Sequence, residues 1–327
     1  MAHGRTRRWL IGAAITVAAL ALAIALGPRP EVDLTTTPPE LPADLAALDD
    51  YIAASERQLD DIRPDNDKQL VWEDAENPSQ TELAIVYLHG FSASRGEISP
   101  VCEQVAERLG ANLFFTRLRG HGRTGDAMLD GTVNAWLNDA VEALAIGRAL
   151  GRRVVLIGTS TGATLATWLA AQPEARDVHA LVLVSPNYMP KNHQTQILTW
   201  PWGRYIAEAI QGPERGFETQ NALHAQYWTS RYPTRVLVPM MALVDLVAEI
   251  DLATVQQPTL MIYSERDQVI DPAIARARFE AFGAPIKQRQ VITDDQDPAH
   301  HLVIGDIMSP ATTPAAIDTI VDFLTRL

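Results

Sequence analysis

The sequence predicts an α/β fold, a mostly parallel sheet covered by helices on both faces. Three observations lead there. Short continuous apolar runs such as ELAIVYL, VVLIG and ALVLV recur from about Gln69 to the C-terminus. Such runs suit strands buried on both sides rather than on one. Longer helical patterns alternate with them, which supplies the crossovers a parallel sheet needs. The chain has 327 residues, 47% of them hydrophobic and 20% charged, enough to build a sizeable core.

In chain order, MAHGRTRRW carries Arg5, Arg7 and Arg8, and an uncharged apolar run follows from Trp9 to Leu26. As a helix this run is about 27 Å long, close to the ~30 Å hydrocarbon core of a bilayer. That length favours an uncleaved membrane anchor over a signal peptide, whose apolar region spans roughly 7–15 residues. Small residues at Ala21, Ala23 and Ala25 keep cleavage and secretion as the alternative. TRRWLI also has a weak likeness to a twin-arginine export signal. In either case the arginines stay cytoplasmic and the remainder crosses. Residues 1–27 are therefore read as an anchor or signal, and the rest as extracytoplasmic, periplasmic or extracellular. Residues 28–42 contain Pro28, Pro30, Pro38, Pro39 and Pro42 and read as an extended linker.

Residues 43–327 form the expected globular part. ADLAALDDYIAASERQL opens it as an amphipathic helix. Strands are expected at QLVWED, ELAIVYLHG, NLFFTRL, RRVVLIG, VHALVLVSP, PTLMIYS and KQRQVIT. Helices are expected at SPVCEQVAERLG, VNAWLNDAVEALAIGRALG, TGATLATWLAAQ, DPAIARARFEAFG and PAAIDTIVDFLTRL, with glycine stops at Gly110, Gly151 and Gly283. The alternation breaks from about residue 187 to 257. That is too long for a connecting loop. It reads as a helical insertion over the carboxyl edge of the sheet, where open α/β sheets bind ligands.

The chemistry centres on IGTSTGATLATW. Ser160 stands between Gly158 and Gly162, after a buried strand and before a helix. A serine hydroxyl is a poor nucleophile without a base. A tight strand-to-helix turn pushes its Oγ out of the sheet edge and sets the next N–H, that of Thr161, at a helix N-terminus where negative charge is stabilised. YLHGFSAS follows another buried strand, and its Phe91 N–H would be a second oxyanion donor. The orienting acid and the base should follow the serine in that order. Asp267, in the loop after PTLMIYS, is the acid. Asp271 precedes Pro272 and reads as a helix cap, and Glu265 as surface. The base lies in DDQDPAHHLVIGD, where His301 is preferred to His300 because it adjoins the apolar LVI. Adjacent histidines rarely share one tetrahedral ion, so no metal is expected. His121, in RLRGHGR, precedes the serine and reads as shaping a loop.

Together HGFS, RGHG, GTSTG, SERDQVID and HHLVIGD resemble, in that order, the α/β-hydrolase superfamily, in particular serine esterases and monoacylglycerol-lipase-like members. The resemblance covers about residues 69–327. It implies an eight-stranded sheet, a cap domain at the helical insertion, and ester hydrolysis without a cofactor. It maps Ser160 as nucleophile, His301 as general base and acid, Asp267 as its partner, and the Phe91 and Thr161 N–H groups as the oxyanion hole. Two departures stand out. Thr159 replaces the histidine usual before the serine, with Gly162-Ala163 in place of two glycines, and Arg117 occupies the first place of D-x-R-G-H-G.

The expected reaction is hydrolysis of a small-molecule ester through an acyl-enzyme, with Trp200, Trp202, Tyr205, Trp228, Met240 and Met241 suggesting an apolar acyl pocket. Thioester, amide or carbon–carbon hydrolysis and acyl transfer would use the same groups, and a non-catalytic binding module is the alternative of another class. Dehalogenase or epoxide-hydrolase chemistry would want aspartate at position 160. The net charge of −13 argues against nucleic acid as a partner and against broad adhesion to anionic lipid. The single cysteine, Cys102, excludes an intrachain disulfide.

Overall fold

The computed structural model describes the backbone from Ala2 to Leu327, with side chains from Trp9 onward. The side chains of Arg5, Arg7 and Arg8, on which the orientation of the leader rests, lie outside the described residues.

Two helices precede the sheet, α1 (Ala2–Ala25) and α2 (Leu48–Glu56). The body then runs β1 (Gln69–Val71), β2 (Thr81–Leu88), α3 (Val101–Leu109), β3 (Asn112–Phe115), α4 (Val133–Leu150), β4 (Gly151–Thr159), α5 (Thr161–Ala170) and β5 (Ala180–Val184). Next come α6 (Gly203–Gln211), β6 (Glu214–Gly216), α7 (Ala222–Tyr227), β7 (Arg231–Pro233) and α8 (Leu237–Ala248). The chain closes with β8 (Thr259–Tyr263), α9 (Pro272–Glu280), β9 (Lys287–Val291) and α10 (Thr313–Thr325).

The main sheet has the order β1-β3-β2-β4-β5-β8-β9, parallel except for β1, which pairs antiparallel with β3. Alternation of side chains along each strand divides the interior into two cores. From β2, Ala84, Val86 and Leu88 enter one core, and Leu83, Ile85 and Tyr87 the other. From β4, Val154 and Leu156 go with the first set, Val155 and Ile157 with the second. Helices α4, α5 and α8 cover the first face, and α3 and α10 the second. Each fully buried aliphatic side chain contributes about 1.5–3 kcal/mol over exposure.

The described sheet has seven strands, not the eight implied by the resemblance. These are the seven strands expected from the sequence. The segment before β1 does not add an edge strand, because it is held as a turn. Arg63 donates to the carbonyls of Gly122 (through its N–H), Ala225 and Trp228 (through Nη1), and Asn66 closes a turn on Arg63.

Helix α2 is tied to the body by a buried ion pair. Arg117 reaches both carboxylate oxygens of Glu56 at 2.7 Å, through Nε and Nη2. Burial pushes the Glu56 carboxyl up, and the Arg117 hydrogen bonds and charge more than offset this, leaving it below its ordinary value. Arg117, the residue that departs from the family pattern, thus gives α2 its register rather than serving the site.

The apolar side chains of α1 enter neither core. Leu10, Ile15, Val17, Leu20, Leu22 and Ile24 are all exposed. Its C-terminal end meets the segment before α6, where Trp202 Nε1 donates to the Ala23 carbonyl at 2.8 Å and the Trp202 N–H donates to that of Pro28. Among the described residues no helix is long and apolar enough to cross a membrane. Since side chains are described only from Trp9, part of α1 is outside that statement.

Candidate active site

Ser160 sits between β4 and α5 with φ 51° and ψ −115°. A non-glycine residue there costs about 1–3 kcal/mol and persists only where its surroundings enforce it. Here they do. The Ser160 N–H donates to the Val184 carbonyl, and the Ser160 carbonyl accepts from Thr164 and Asn187. The flanking glycines are required by close approach. A β-carbon at 162 would lie 1.9 Å from the Leu88 carbonyl oxygen, and one at 158 would lie 2.7 Å from that of Gly162. The chain can make this turn only without side chains at those two positions.

The other two residues singled out in the sequence meet each other. His301 Nδ1 lies 2.8 Å from Asp267 Oδ2, and both side chains are buried. The second Asp267 oxygen accepts the N–H groups of Val269 and Ile270 at 2.7 and 2.9 Å, which fixes the carboxylate. With Nδ1–H donated to Asp267, Nε2 is the ring's free acceptor. Burial alone would lower the His301 pKa. The Asp267 carboxylate outweighs it, assisted by Asp297 and Glu97, and the pKa lies above its ordinary value. His300 is engaged elsewhere, with Nδ1 2.6 Å from Asp295. Asp271 caps α9 through the N–H groups of Ala273 and Ile274, and Glu265 bonds Tyr263 and Arg276 at the surface.

Ser160 and His301 line one cavity of about 430 Å3, together with Phe91 and Thr161. No hydrogen bond joins the Ser160 hydroxyl to His301 among the described residues. The N–H groups of Phe91 and Thr161 donate to nothing among the described residues, and Thr161 opens α5, so its N–H lies at the positive end of the helix.

The loop bearing Phe91 is built from both ends. His89 donates through Nδ1 to the Gly90 carbonyl and accepts the Leu118 N–H on Nε2. Full burial, with His121 and Arg117 adding to it, holds it well below its ordinary pKa, so it acts as a neutral clamp. His121 packs edge-on to Phe91 at 5.6 Å and is buried behind it. Burial pushes it down to about 4, in keeping with a loop-shaping part.

Residues 187–257 roof the cavity with Leu198, Trp228, Tyr232, Leu237 and Met240. The aromatic residues expected to form an apolar pocket divide. Trp228 and Met240 line it, and Met241 is buried in the core. Trp200, Trp202 and Tyr205 are instead 59%, 42% and 44% exposed on the outer face. They lie on or just before α6, whose inner contacts are made by Gly203 and Ala207.

Two carboxyl groups were not singled out from the sequence. Asp297 accepts the N–H groups of His301 and Leu302 at 3.0 and 2.8 Å and holds the histidine loop. Glu97 is buried beneath the Phe91 loop and accepts from Gly90 N–H and Tyr87 OH, both at 2.7 Å. Each acts on backbone several residues away, so no short motif marks it.

A strained serine at a strand-to-helix turn, opposite an aspartate-held histidine on a cap-covered parallel sheet, defines an α/β-hydrolase fold. The chain belongs to the family described as serine aminopeptidase, S33, whose match spans residues 79–302. No curated protein matches the chain. Solved structures of similar fold include a lipolytic enzyme from the metagenome-derived pair LipS and LipT, at 18% identity and a TM-score of 0.65, covering 81% of this chain and all of that one. The monoacylglycerol lipase of Paleococcus ferrophilus is similar at 14% identity and a TM-score of 0.58, covering 79% and 98%. A soluble variant of the Saccharomyces cerevisiae monoglyceride lipase is similar at 13% identity and a TM-score of 0.56, covering 79% and 91%.

Proposed function

We propose that this protein is a serine hydrolase that cleaves carboxylic esters through an acyl-enzyme, with residues 43–327 as its hydrolase domain and 187–257 as the cap. The observation that carries the reading is the convergence of Ser160, at its strained turn, and the Asp267-held His301 on one largely apolar cavity. Ser160 Oγ attacks the ester carbonyl while His301 Nε2 takes its proton. The oxyanion is held by the N–H groups of Phe91 and Thr161. His301 then protonates the departing alcohol, and a water repeats the sequence to release the acid. Similar folds in proteins described as lipases agree with this reading.

The cavity volume falls within the range of small-molecule pockets, and its lining by Phe91, Leu198, Leu237, Met240 and Leu302 favours an apolar acyl group. A panel of p-nitrophenyl esters of increasing chain length, with leucine p-nitroanilide beside it, tests this. We expect turnover of the esters, with kcat/KM rising from acetate to medium chains, and none of the anilide. Turnover of the anilide alone would replace the ester reading with an aminopeptidase one.

We further propose that α1 anchors the protein in a membrane, with the hydrolase domain on the extracytoplasmic side. The support is the uncharged apolar stretch from Trp9 to Leu26, whose large side chains are exposed outside both cores, followed by a proline-rich linker. The full chain is expected to stay with the membrane pellet after alkaline carbonate extraction. A chain begun at residue 28 is expected in the supernatant. Release of the full chain by carbonate would end this proposal.

A further inference from the structure

We propose that Glu97 is a positioning residue for the oxyanion site: its carboxyl fixes the His89–Gly90 peptide, next to the one that carries the Phe91 N–H, and it lines the same cavity as His301. The proposal rests on the serine-hydrolase reading above. Glu97 lies in a short turn (Arg95–Ile98) and is 3% exposed. One carboxylate oxygen, Oε2, accepts both the Gly90 N–H and the Tyr87 hydroxyl at 2.7 Å. Tyr87 OH also sits 3.0 Å from Thr159 Oγ1, next to Ser160. The carboxyl therefore links the end of β2 to the end of β4, the two strands that present Phe91 and Ser160.

With its own N–H bound below and its carbonyl held by His89, Gly90 has both peptide groups fixed. That leaves the Phe91 N–H to face the cavity that Glu97 also lines. A β-carbon at 90 would lie 2.5 Å from Glu97 Oε1, so the glycine of HGF is needed to admit the carboxyl. A buried carboxyl is retained at such a place only if it is bonded.

The titratable groups facing Glu97 are Tyr87 from β2, Cys102 from α3 and His301 from the loop after β9. Burial pushes Glu97 up to about 7, with the Gly90 and Tyr87 hydrogen bonds acting against that rise. When ionised, it favours the protonated form of His301, the form that cannot accept the serine proton. Removing the charge should let His301 become a base at lower pH.

Two variants test this, Glu97→Ala and Glu97→Gln, assayed on a short-chain p-nitrophenyl ester, with fluorophosphonate labelling of the parent at Ser160 run alongside. Glu97→Ala frees the Gly90 N–H and is expected to lower kcat on the order of 10²-fold with KM little changed. Glu97→Gln can still accept both hydrogen bonds and is expected to restore most of that loss, with the acidic limb of kcat/KM moved to lower pH. A simple packing role would not move the limb. A Glu97→Gln profile that overlays the parent's, or Glu97→Ala at the parent's kcat, overturns the proposal. If Glu97→Ala does not fold, the Glu97→Gln profile decides alone. An unlabelled parent overturns the serine-hydrolase reading and this proposal with it. A labelled parent with unaffected variants overturns this proposal only.

Discussion

Ser160→Ala is expected to leave the protein folded and to lower kcat on the order of 10⁵-fold or more, with little change in KM. The fold should persist because the Ser160 hydroxyl bonds nothing among the described residues, while its backbone bonds to Val184, Thr164 and Asn187 are untouched. The turn stays as strained for alanine as for serine, since the strain lies in φ. What is lost is the hydroxyl proposed to attack the carbonyl at the head of α5. Circular dichroism and a thermal melt check the first part, and hydrolysis of a p-nitrophenyl ester the second. Activity within about tenfold of the parent would mean that another group attacks.

Asp267→Asn is expected to cost on the order of 10⁴-fold in kcat, and the reason is directional. Asp267 Oδ1 accepts the Val269 and Ile270 N–H groups, and Oδ2 accepts from His301. An asparagine must turn its oxygen toward the two backbone donors, so its NH2 faces the ring. The imidazole then has to accept on Nδ1 and carry its proton on Nε2, the atom that should take the serine proton. A second effect goes with it. Asp267 is the largest contribution raising the His301 pKa against burial, so its neutralisation lets His301 lose its proton at lower pH. The residual activity of Asp267→Asn should therefore show its acidic limb at lower pH than the parent. An unchanged kcat, or an unmoved limb, would detach Asp267 from the histidine's work.

Much of this architecture is legible in the sequence. Six of the seven strands of the sheet are visible as runs that hold apolar or β-branched residues, while the edge strand β9, KQRQV, is mostly polar. The serine turn is visible because both glycines have a steric reason that leaves a motif. The three glycines expected to stop helices differ. Gly110 ends α3 in the left-handed region, with φ 59°. Gly151 instead has φ −147° and leads straight from α4 into β4, where a β-carbon would lie 2.4 Å from the Ala84 nitrogen. Gly283 follows a helix already finished at Glu280 and is needed for close approach to Ala253. A glycine after a helical pattern does not by itself distinguish these cases.

What the sequence hid has a common physical origin. The two-stranded β6–β7 pair consists of ERG and RYP, strands too short and polar to show alternation. Trp200, Trp202 and Tyr205 look like pocket residues by type, yet α6 turns its small side chains inward and leaves the aromatic ones outside. Glu97 and Asp297 accept backbone N–H groups four to seven residues away within their own loops, a spacing that no short motif marks. The choice of His301 over His300 followed from its apolar neighbours. The structure adds the partner for each ring, Asp267 for one and Asp295 for the other.

The most direct measurement is to treat the purified full-length protein with a fluorophosphonate and locate the adduct by peptide mass spectrometry. A single adduct on Ser160, formed faster as pH rises through the His301 transition and absent from Ser160→Ala, is the expected result. An adduct on any other residue, or none at Ser160 while ester turnover continues, would contradict the proposed chemistry at the head of α5.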